Sequence, residues 1–362
     1  MLILFGIYAL VCLWQIRLRP PAGTHWQTDY LSRERTDSVK GLFILMVFFA
    51  HFNDYVVFTT AMDQRYFYWF MKIGQWMVTM FLFYSGYGVM ESIKRSGNAY
   101  IRRMPVHRIG RTLLNFDLAV LLYALLALVR GSTVSGKGLL LSLLAWDSLG
   151  NSNWYIFMVL AMYCMTFVSF ALCREKGRWW PGVLLTVLMI VGLMEVFLKT
   201  GLKPTYWYDT ALCYGLGMIW SLIREKAEKW INRWDSVYLV LLISAALPAV
   251  WYGLRRHQDY IYEFRTMLLF CIAFLLVTMR ISFGNPILRW CGRHLFSLYI
   301  LQRGVMIALY DLGMHRWIVP YFLLALVITV VLAWSFDKMT DVLWKTLCSL
   351  GKNKTQSADT VA

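Results

Sequence analysis

The sequence predicts an all-α integral membrane protein, a bundle of about eleven transmembrane helices. Three observations lead to this fold class. Of the 362 residues, 59% are hydrophobic and only 15% are charged, whereas soluble domains carry about 25% charged residues. Long apolar segments recur along the whole chain. Aromatic residues make up 17%, as is typical of a protein with aromatic belts at two membrane interfaces. This composition excludes a soluble globular protein and a disordered chain.

The apolar segments define the predicted helices in order. A transmembrane helix needs about 20 mostly apolar residues. The segments that approach this length are 1–16, 39–58, 69–90, 112–130, 154–173, 181–198, 207–223, 237–254, 261–279, 294–310 and 317–335. The first lacks the basic start and small-residue cleavage site of a signal peptide, so we interpret it as a retained helix. The apolar segment 138–147 is too short to cross and is predicted to lie at the outer interface.

Lysines and arginines are distributed unevenly between alternate loops. With Lys40 included, 25 of the 36 basic residues lie in the loops 17–38, 91–111, 174–180, 224–236 and 280–293 and after residue 336. Such an excess marks the cytoplasmic side of a membrane protein. The sequence therefore predicts an outside N-terminus and a cytoplasmic C-terminus. The net charge of +16 reflects this asymmetry, so no nucleic-acid partner is predicted.

The seven cysteines do not indicate a metal site or a disulfide framework. None forms a CxxC pair, and most lie in or beside apolar segments. An odd number of such cysteines is typical of membrane packing residues. We therefore predict no metal ligand among them.

The segment from Asp37 to Asp54 carries the first functional pattern. Lys40 and His51 are eleven residues apart, which is about 20° from three full helical turns and about 16 Å along the axis. They are predicted to share one face, with Lys40 at the cytoplasmic end and His51 near the bilayer centre. Ionisable groups at that depth are costly and usually functional. The alternative is a neutral His51 bonded to a neighbouring helix. Asp54 either orients the imidazole or is an outer-surface carboxylate.

A second pattern opens the helix after the basic loop 91–111. Arg108 and Arg111 stand at i and i+3, and residues at this spacing share a helix face. Their guanidinium groups are predicted to converge at the inner mouth of the bundle, where they would suit a phosphate bound bidentately. Simple anchoring on the cytoplasmic side is the alternative interpretation.

In their order, these segments resemble the acyltransferase 3 family of multi-pass membrane acyltransferases. The resemblance covers roughly residues 34–335. It rests on a basic residue separated by ten others from a His (Lys40, His51), an aromatic Ser-Gly motif (Phe83-Tyr84-Ser85-Gly86) and Arg-x-x-Arg (Arg108, Arg111). It also rests on a helix opening with Trp154-Tyr155 and on a late stretch from Cys291 to Gln302 with Ser297 and Tyr299. Two positions depart from the family pattern: Lys40 replaces an arginine, and Gln302 replaces a histidine.

The resemblance implies an architecture and an activity. The family core resembles a ten-helix bundle, so residues 1–33 are an extra transmembrane helix with a cytoplasmic linker. Residues 34–345 are then the membrane acyltransferase domain, and residues 346–362 are a disordered cytoplasmic tail. The implied reaction moves an acyl group, commonly acetyl, from cytoplasmic acyl-CoA to a hydroxyl of a cell-surface or lipid-linked glycan. The implied location is a bacterial cytoplasmic membrane, with lipid, acyl-CoA and glycan as partners. The oligomeric state is left open.

The resemblance also implies roles for individual residues. His51, assisted by Asp54, is expected to act as a general base or to carry the acyl group. Lys40, Arg108 and Arg111 are expected to bind the phosphates of acetyl-CoA or another acyl-CoA. The residues expected to bind the carbonyl or the sugar are Ser85, Trp154, Tyr299 and Gln302. The competing hypothesis is a transporter or flippase for a glycan or lipid precursor without covalent chemistry, because several polar residues are scattered through the apolar segments.

Overall fold

The structure, a computed structural model, describes residues 1–18, 26–173, 177–255 and 260–359, and its regular elements are helices. The helices are α1 (Leu2–Leu13), α2 (Arg33–Asn53), α3 (Ala61–Met71), α4 (Trp76–Ser96), α5 (Asn98–Met104), α6 (Arg111–Val129), α7 (Gly136–Leu143), α8 (Trp154–Leu172), α9 (Trp180–Thr200), α10 (Leu212–Ile231), α11 (Asp235–Arg255), α12 (Tyr260–Arg280), α13 (Pro286–Arg293), α14 (Leu295–Asp311) and α15 (Ile318–Asp359). The described residues contain no β-strand, only one isolated bridge between Arg17 and Ser282. The all-α prediction is confirmed.

Six helical segments of the described chain are long and apolar enough to cross a membrane. They are Asn98–Val129, Trp154–Leu172, Trp180–Thr200, Asp235–Arg255, Tyr262–Arg280 and Ile318–Leu350. The helix α1 is apolar but has only 12 residues. The helices α2, α4 and α10 each include a charged turn at one end, which lowers their mean hydropathy. The structure supports a multi-pass membrane protein, and the number eleven stays a prediction.

The helix α2 occupies a different stretch from the predicted segment 39–58. It begins six residues earlier, because the Ser32 side chain accepts a hydrogen bond from the Arg35 backbone N–H and caps the polar first turn. It ends at Asn53, with Asp54 as the C-cap residue. His51 therefore lies in the last turn of the helix and not near its middle.

Two other predicted segments also differ. The segment 69–90 is two helices, α3 and α4, separated at Gly74, which has a positive φ of 54°. The helix predicted from residue 112 is continuous with α5, through a π-helical segment at Pro105–Gly110. Proline lacks the N–H of the regular helical ladder and clashes with the carbonyl four residues earlier, which favours such an insertion.

The last helix, α15, continues to Asp359. The structure is thus helical over residues 346–359, where the sequence predicts a disordered tail. Extending an existing helix needs no new nucleation, so a polar segment can continue a spanning helix at little cost. The boundaries between the extra helix, the membrane domain and the tail stay predictions.

Polar contacts between loops and between helices define two ends of the bundle. At one end, which we call the basic end, the pairs are Arg17–Ser282, Tyr30–Glu228, Glu34–Arg289, Lys94–Ser221, Arg111–Asp341 and Asp235–Arg280. At the other, which we call the His51 end, they are Met1–Asp63, His51–Ser152, Asp54–Arg303, Arg130–Asp311 and Trp146–Lys203. The described loops predicted to be rich in Lys and Arg share the basic end.

Glycines allow close approaches between helices at Gly41, Gly86, Gly217 and Gly292. At Gly86 of α4, a Cβ atom would overlap the backbone carbonyl of Tyr214 in α10. At Gly292 of α13, it would overlap the carbonyl of Asp37 in α2. Glycine is required at both positions because any side chain would separate the helices. These contacts fix α2 and α4, which carry Lys40, His51 and Ser85.

Candidate active site

A cavity of about 210 Å³ lies at the His51 end of the bundle. We call it the His51 cavity. Its walls come from the last turn of α2, the break between α3 and α4, and the first residues of α8. The predicted site residues that line it are His51, Asp54, Trp154 and Tyr299. The structure therefore brings together four side chains that are up to 248 positions apart in the sequence.

The His51 imidazole has one occupied nitrogen. Its Nε2 atom lies 3.2 Å from the Oγ atom of Ser152. Its Nδ1 atom is buried and has no hydrogen-bond partner among the described residues. The ring centroid of Tyr299 lies 5.9 Å from that of the imidazole, and the Tyr299 side chain also interacts with Ser152. Nδ1 is thus the nitrogen that a base role for His51 would use.

Ser152 was not predicted from the sequence. Hydrogen bonds of the neighbouring residues fix the loop in which it lies. The side chain is only 5% exposed. On one side of it, Asn151 accepts a hydrogen bond from the Leu149 backbone. On the other, the Asn153 amide donates to the backbone carbonyls of Ala145 and Asp147. These bonds fix the turn that leads into α8 and place the Ser152 hydroxyl against the imidazole.

Asp54 lines the His51 cavity but makes its ion pair elsewhere. A carboxylate oxygen lies 3.6 Å from the Arg303 guanidinium, and Arg303 also donates to the Tyr55 hydroxyl at 3.2 Å. The imidazole hydrogen bond goes to Ser152 and not to Asp54. The expected direct orientation of His51 by Asp54 is therefore not present, although the carboxylate faces the same cavity.

A second cavity of about 130 Å³ adjoins the first. We call it the Ser85 cavity, because Ser85 of α4 and Tyr163 of α8 form a 2.9 Å hydrogen bond in its wall. Tyr299 lines both cavities, and its ring packs 5.3 Å from that of Tyr155. The Tyr299 side chain is thus the partition between the two spaces.

Gln302 is buried next to the backbone of Tyr299. It is 1% exposed, and its Nε2 atom donates to the backbone carbonyl of Tyr299 at 3.2 Å. It belongs to neither of the two cavity walls. The structure therefore places Gln302 next to the backbone of the site and not at its surface.

The two arginines of the Arg-x-x-Arg motif contact different partners. Arg108 lies in the π-helical segment, donates to the Tyr100 hydroxyl at 3.1 Å and interacts electrostatically with Tyr163 of the Ser85 cavity. Arg111 forms an ion pair with Asp341 of α15 and is half exposed. The two guanidinium groups thus have separate partners, and the π segment between them changes their relative angle from that of a regular helix. Their convergence on one phosphate stays a prediction. Arg108 is the member that faces the interior.

Lys40 is held at the basic end by a buried carboxylate. Its Nζ atom lies 2.6 Å from Asp37, whose side chain is 5% exposed. Arg293 and Arg33 approach the same carboxylate at 3.8 and 4.0 Å. Lys40 lines neither cavity, so its expected contact with a donor phosphate stays a prediction.

Substitution of Lys40 should separate the effect of charge from that of shape. Lys40→Arg should keep activity, because it retains a cation beside Asp37. Lys40→Met should lose most activity and lower the free energy of unfolding by about 1–3 kcal/mol, since a buried carboxylate loses its shortest partner. Initial rates against acyl-CoA concentration and thermal midpoints in matched detergent test this. The control is Lys345→Met, an exposed lysine of α15. Full activity in Lys40→Met would show that the residue is only a topology anchor.

The comparison with protein families bears directly on this site. The model of the acyltransferase domain family, acyltransferase 3, matches residues 34–338. The chain belongs to the acyltransferase 3 family. No curated protein and no solved structure matches it significantly. Both cavities of this membrane acyltransferase lie within the matched residues, whereas α1 precedes them. Within the described ranges, no three His, Cys, Asp or Glu side chains meet as a metal site requires.

Proposed function

We propose that this membrane acyltransferase transfers an acyl group, commonly acetyl, from cytoplasmic acyl-CoA to a hydroxyl of a cell-surface or lipid-linked glycan. The observation that carries the proposal is the pair of cavities that meet at Tyr299. Together they extend from the neighbourhood of Arg108 to the His51 imidazole. The excess of Lys and Arg at the basic end supports a cytoplasmic position for that end.

The donor would enter from the basic end. The phosphates of acyl-CoA need cations, and Arg108 is the inward-facing candidate, with Lys40 and Arg111 nearer the surface. The Ser85 cavity, at about 130 Å³, has room for the thioester end of the donor and not for its nucleotide. Its hydroxyl groups on Ser85 and Tyr163 suit the thioester carbonyl. The Tyr299 side chain would move aside to admit the acyl group to the His51 cavity.

His51 would act as the general base. The acceptor hydroxyl gives its proton to Nδ1 of His51, and its oxygen attacks the thioester carbonyl carbon. The carbon–sulfur bond then breaks, and the CoA thiolate leaves with the proton. The Tyr299 hydroxyl would stabilise the oxyanion of the intermediate. If the imidazole instead carries the acyl group, label from the donor should be found on His51 before any acceptor is added.

Ser152 would be a positioning residue for this step. When Nε2–H donates to the Ser152 hydroxyl, Nδ1 is unprotonated and can accept the acceptor proton. Ser152→Ala should lower kcat about tenfold or more and leave KM for acyl-CoA unchanged, because it removes the group that selects the tautomer. Ser152→Thr should restore the rate. The matched control is Ser148→Ala, in the same loop. Equal losses in kcat and in thermal stability for both variants would show a purely structural role.

The test of the proposed function is release of CoA thiol from acetyl-CoA by purified protein in nanodiscs. The wild type should release thiol slowly alone and faster with an acceptor glycan. A transporter or flippase would release none under either condition. A preparation that binds acyl-CoA and never cleaves it would contradict the proposal.

A further inference from the structure

A third cavity, of about 280 Å³, opens at the His51 end between α4, α11 and α12. We call it the α11–α12 cavity. Its polar and aromatic lining includes Lys72, Gln75, Tyr206, Asp209, Tyr262 and Glu263. None of them belongs to the proposed catalytic machinery, and the family motifs found in the sequence do not include them.

The lining of this cavity has the chemistry of a sugar site. Tyr206 is 43% exposed, so its ring can present a face to the apolar face of a pyranose. The Tyr262 ring packs edge-on against Tyr252, with ring centroids 5.5 Å apart. Glu263 supplies carboxylate oxygens, which form charge-assisted hydrogen bonds with hydroxyl groups. Glu263 is already oriented by the Thr205 hydroxyl, which donates to it at 3.2 Å. The Gln75 amide can both donate and accept.

The charges of the lining favour a neutral ligand. Among the described residues that line this space, Asp209 and Glu263 are carboxylates and Lys72 is the cation. A polyanionic glycan would come close to the Glu263 carboxylate and lose affinity through like-charge repulsion. A neutral pyranose satisfies the carboxylates through its hydroxyl hydrogens without adding charge.

The α11–α12 cavity adjoins the His51 cavity at two places. Gln75 lines both of them, because the helix break at Gly74 leaves this residue between α3 and α4. The Tyr206 ring lies 6.1 Å from the ring of Trp154, which lines the His51 cavity. One sugar in the α11–α12 cavity would therefore leave its neighbour in the same glycan beside His51.

We propose that the α11–α12 cavity is an acceptor subsite that binds a neutral pyranose unit of the glycan to be acylated. The inference rests on the proposed acyl transfer. Beyond the acyl transfer itself, it names the place where the acceptor binds and the uncharged class of its sugar. It also requires an acceptor of at least two sugar units, one bound in the α11–α12 cavity and the next acylated beside His51. Small monosaccharide acceptors should then be poor substrates, because they cannot fill both cavities.

The direct test is calorimetric titration of neutral oligosaccharides into protein in nanodiscs. The probes are cellohexaose, maltohexaose and chitohexaose, with hexagalacturonate as the charged comparison. At least one neutral probe should bind. Tyr206→Ala and Glu263→Gln should each weaken that binding about tenfold, as expected for a lost stacking or hydrogen-bond contact. Tyr310→Ala is the control, because Tyr310 is 42% exposed at the same end and lies outside the cavity.

A second readout separates this inference from the proposed function. Cleavage of acetyl-CoA without acceptor should be unchanged in Tyr206→Ala and Glu263→Gln, while KM for the acceptor rises about tenfold. Wild-type protein that cleaves no acetyl-CoA and still binds a neutral probe would refute the function and keep the sugar site. Transfer with an unchanged acceptor KM in both variants, no binding by any neutral probe, or tighter binding of hexagalacturonate would overturn the subsite.

Discussion

Replacing His51 by alanine should reduce acyl transfer by about 10²–10⁴-fold, the usual contribution of a general base, and leave the fold intact. The imidazole makes one hydrogen bond, to Ser152, and its other nitrogen faces no described partner. Its removal therefore breaks one hydrogen bond and takes away the only nitrogen base among the described residues that line the His51 cavity. The measurement is the initial rate of label transfer from radiolabelled acetyl-CoA, with thermal midpoint as the check on folding.

The matched control for this substitution is His315→Ala. His315 also lies at the His51 end, where it stacks on Tyr310 with ring centroids 4.2 Å apart, outside the His51 cavity. It should retain wild-type turnover. A His51→Ala protein that keeps more than a tenth of wild-type turnover would remove this imidazole from the chemistry.

Replacing Arg108 by alanine should raise KM for acyl-CoA about 10- to 100-fold, because a charge-assisted hydrogen bond to a phosphate contributes about 1.5–3 kcal/mol. Arg108→Lys should recover part of this, since it keeps the charge and loses the planar fork. Arg111→Ala should weaken binding less, because Asp341 already engages that guanidinium. Binding of CoA by titration calorimetry gives the affinity independently of turnover.

Arg102→Ala provides the comparison for Arg108. Arg102 is an exposed arginine of α5 at the same end of the bundle and should leave CoA affinity unchanged. If the Arg108 and Arg102 variants bind CoA equally well, the basic residues of this segment only hold the loop on the cytoplasmic side of the membrane. The donor would then bind elsewhere.

The helical character and the two-sided arrangement of the loops could be predicted from the sequence. Both depend on local quantities, namely apolar length and the alternation of basic loops. The family followed from the order of short motifs. The ends of α2 and the break at Gly74 could not be predicted from hydropathy. Hydropathy shows neither the Ser32 cap nor the positive φ of Gly74 within an apolar segment.

The site was predicted in part. His51, Trp154 and Tyr299 were named, and they share one cavity. Ser152 was missed, because its contact with His51 joins residues 101 positions apart. The helical periodicity of the sequence does not reveal a contact between residues so far apart. The polar run from Asn151 to Asn153, directly before an apolar helix, was the available signal. The partner of Asp54 was missed for the same reason, since Arg303 comes from a distant helix.

The pair of arginines shows a different limit. Regular helical geometry places residues at i and i+3 on one face, and that rule predicted a shared phosphate site. Pro105 opens a π-helical segment that ends at Gly110, between the two arginines. The sequence contained the proline, but its effect on the helix depends on what packs around it.

The most direct test of the account is the sidedness of transfer. Proteoliposomes would contain radiolabelled acetyl-CoA inside and the oligosaccharide that binds best outside, with a coenzyme-A-degrading enzyme added outside to remove any leaked donor. The account predicts acetylated oligosaccharide in the outer medium, formed by molecules whose basic end faces the lumen, and none with His51→Ala. Product that forms only when donor and acceptor share a compartment would contradict a path through the bundle from Arg108 to His51.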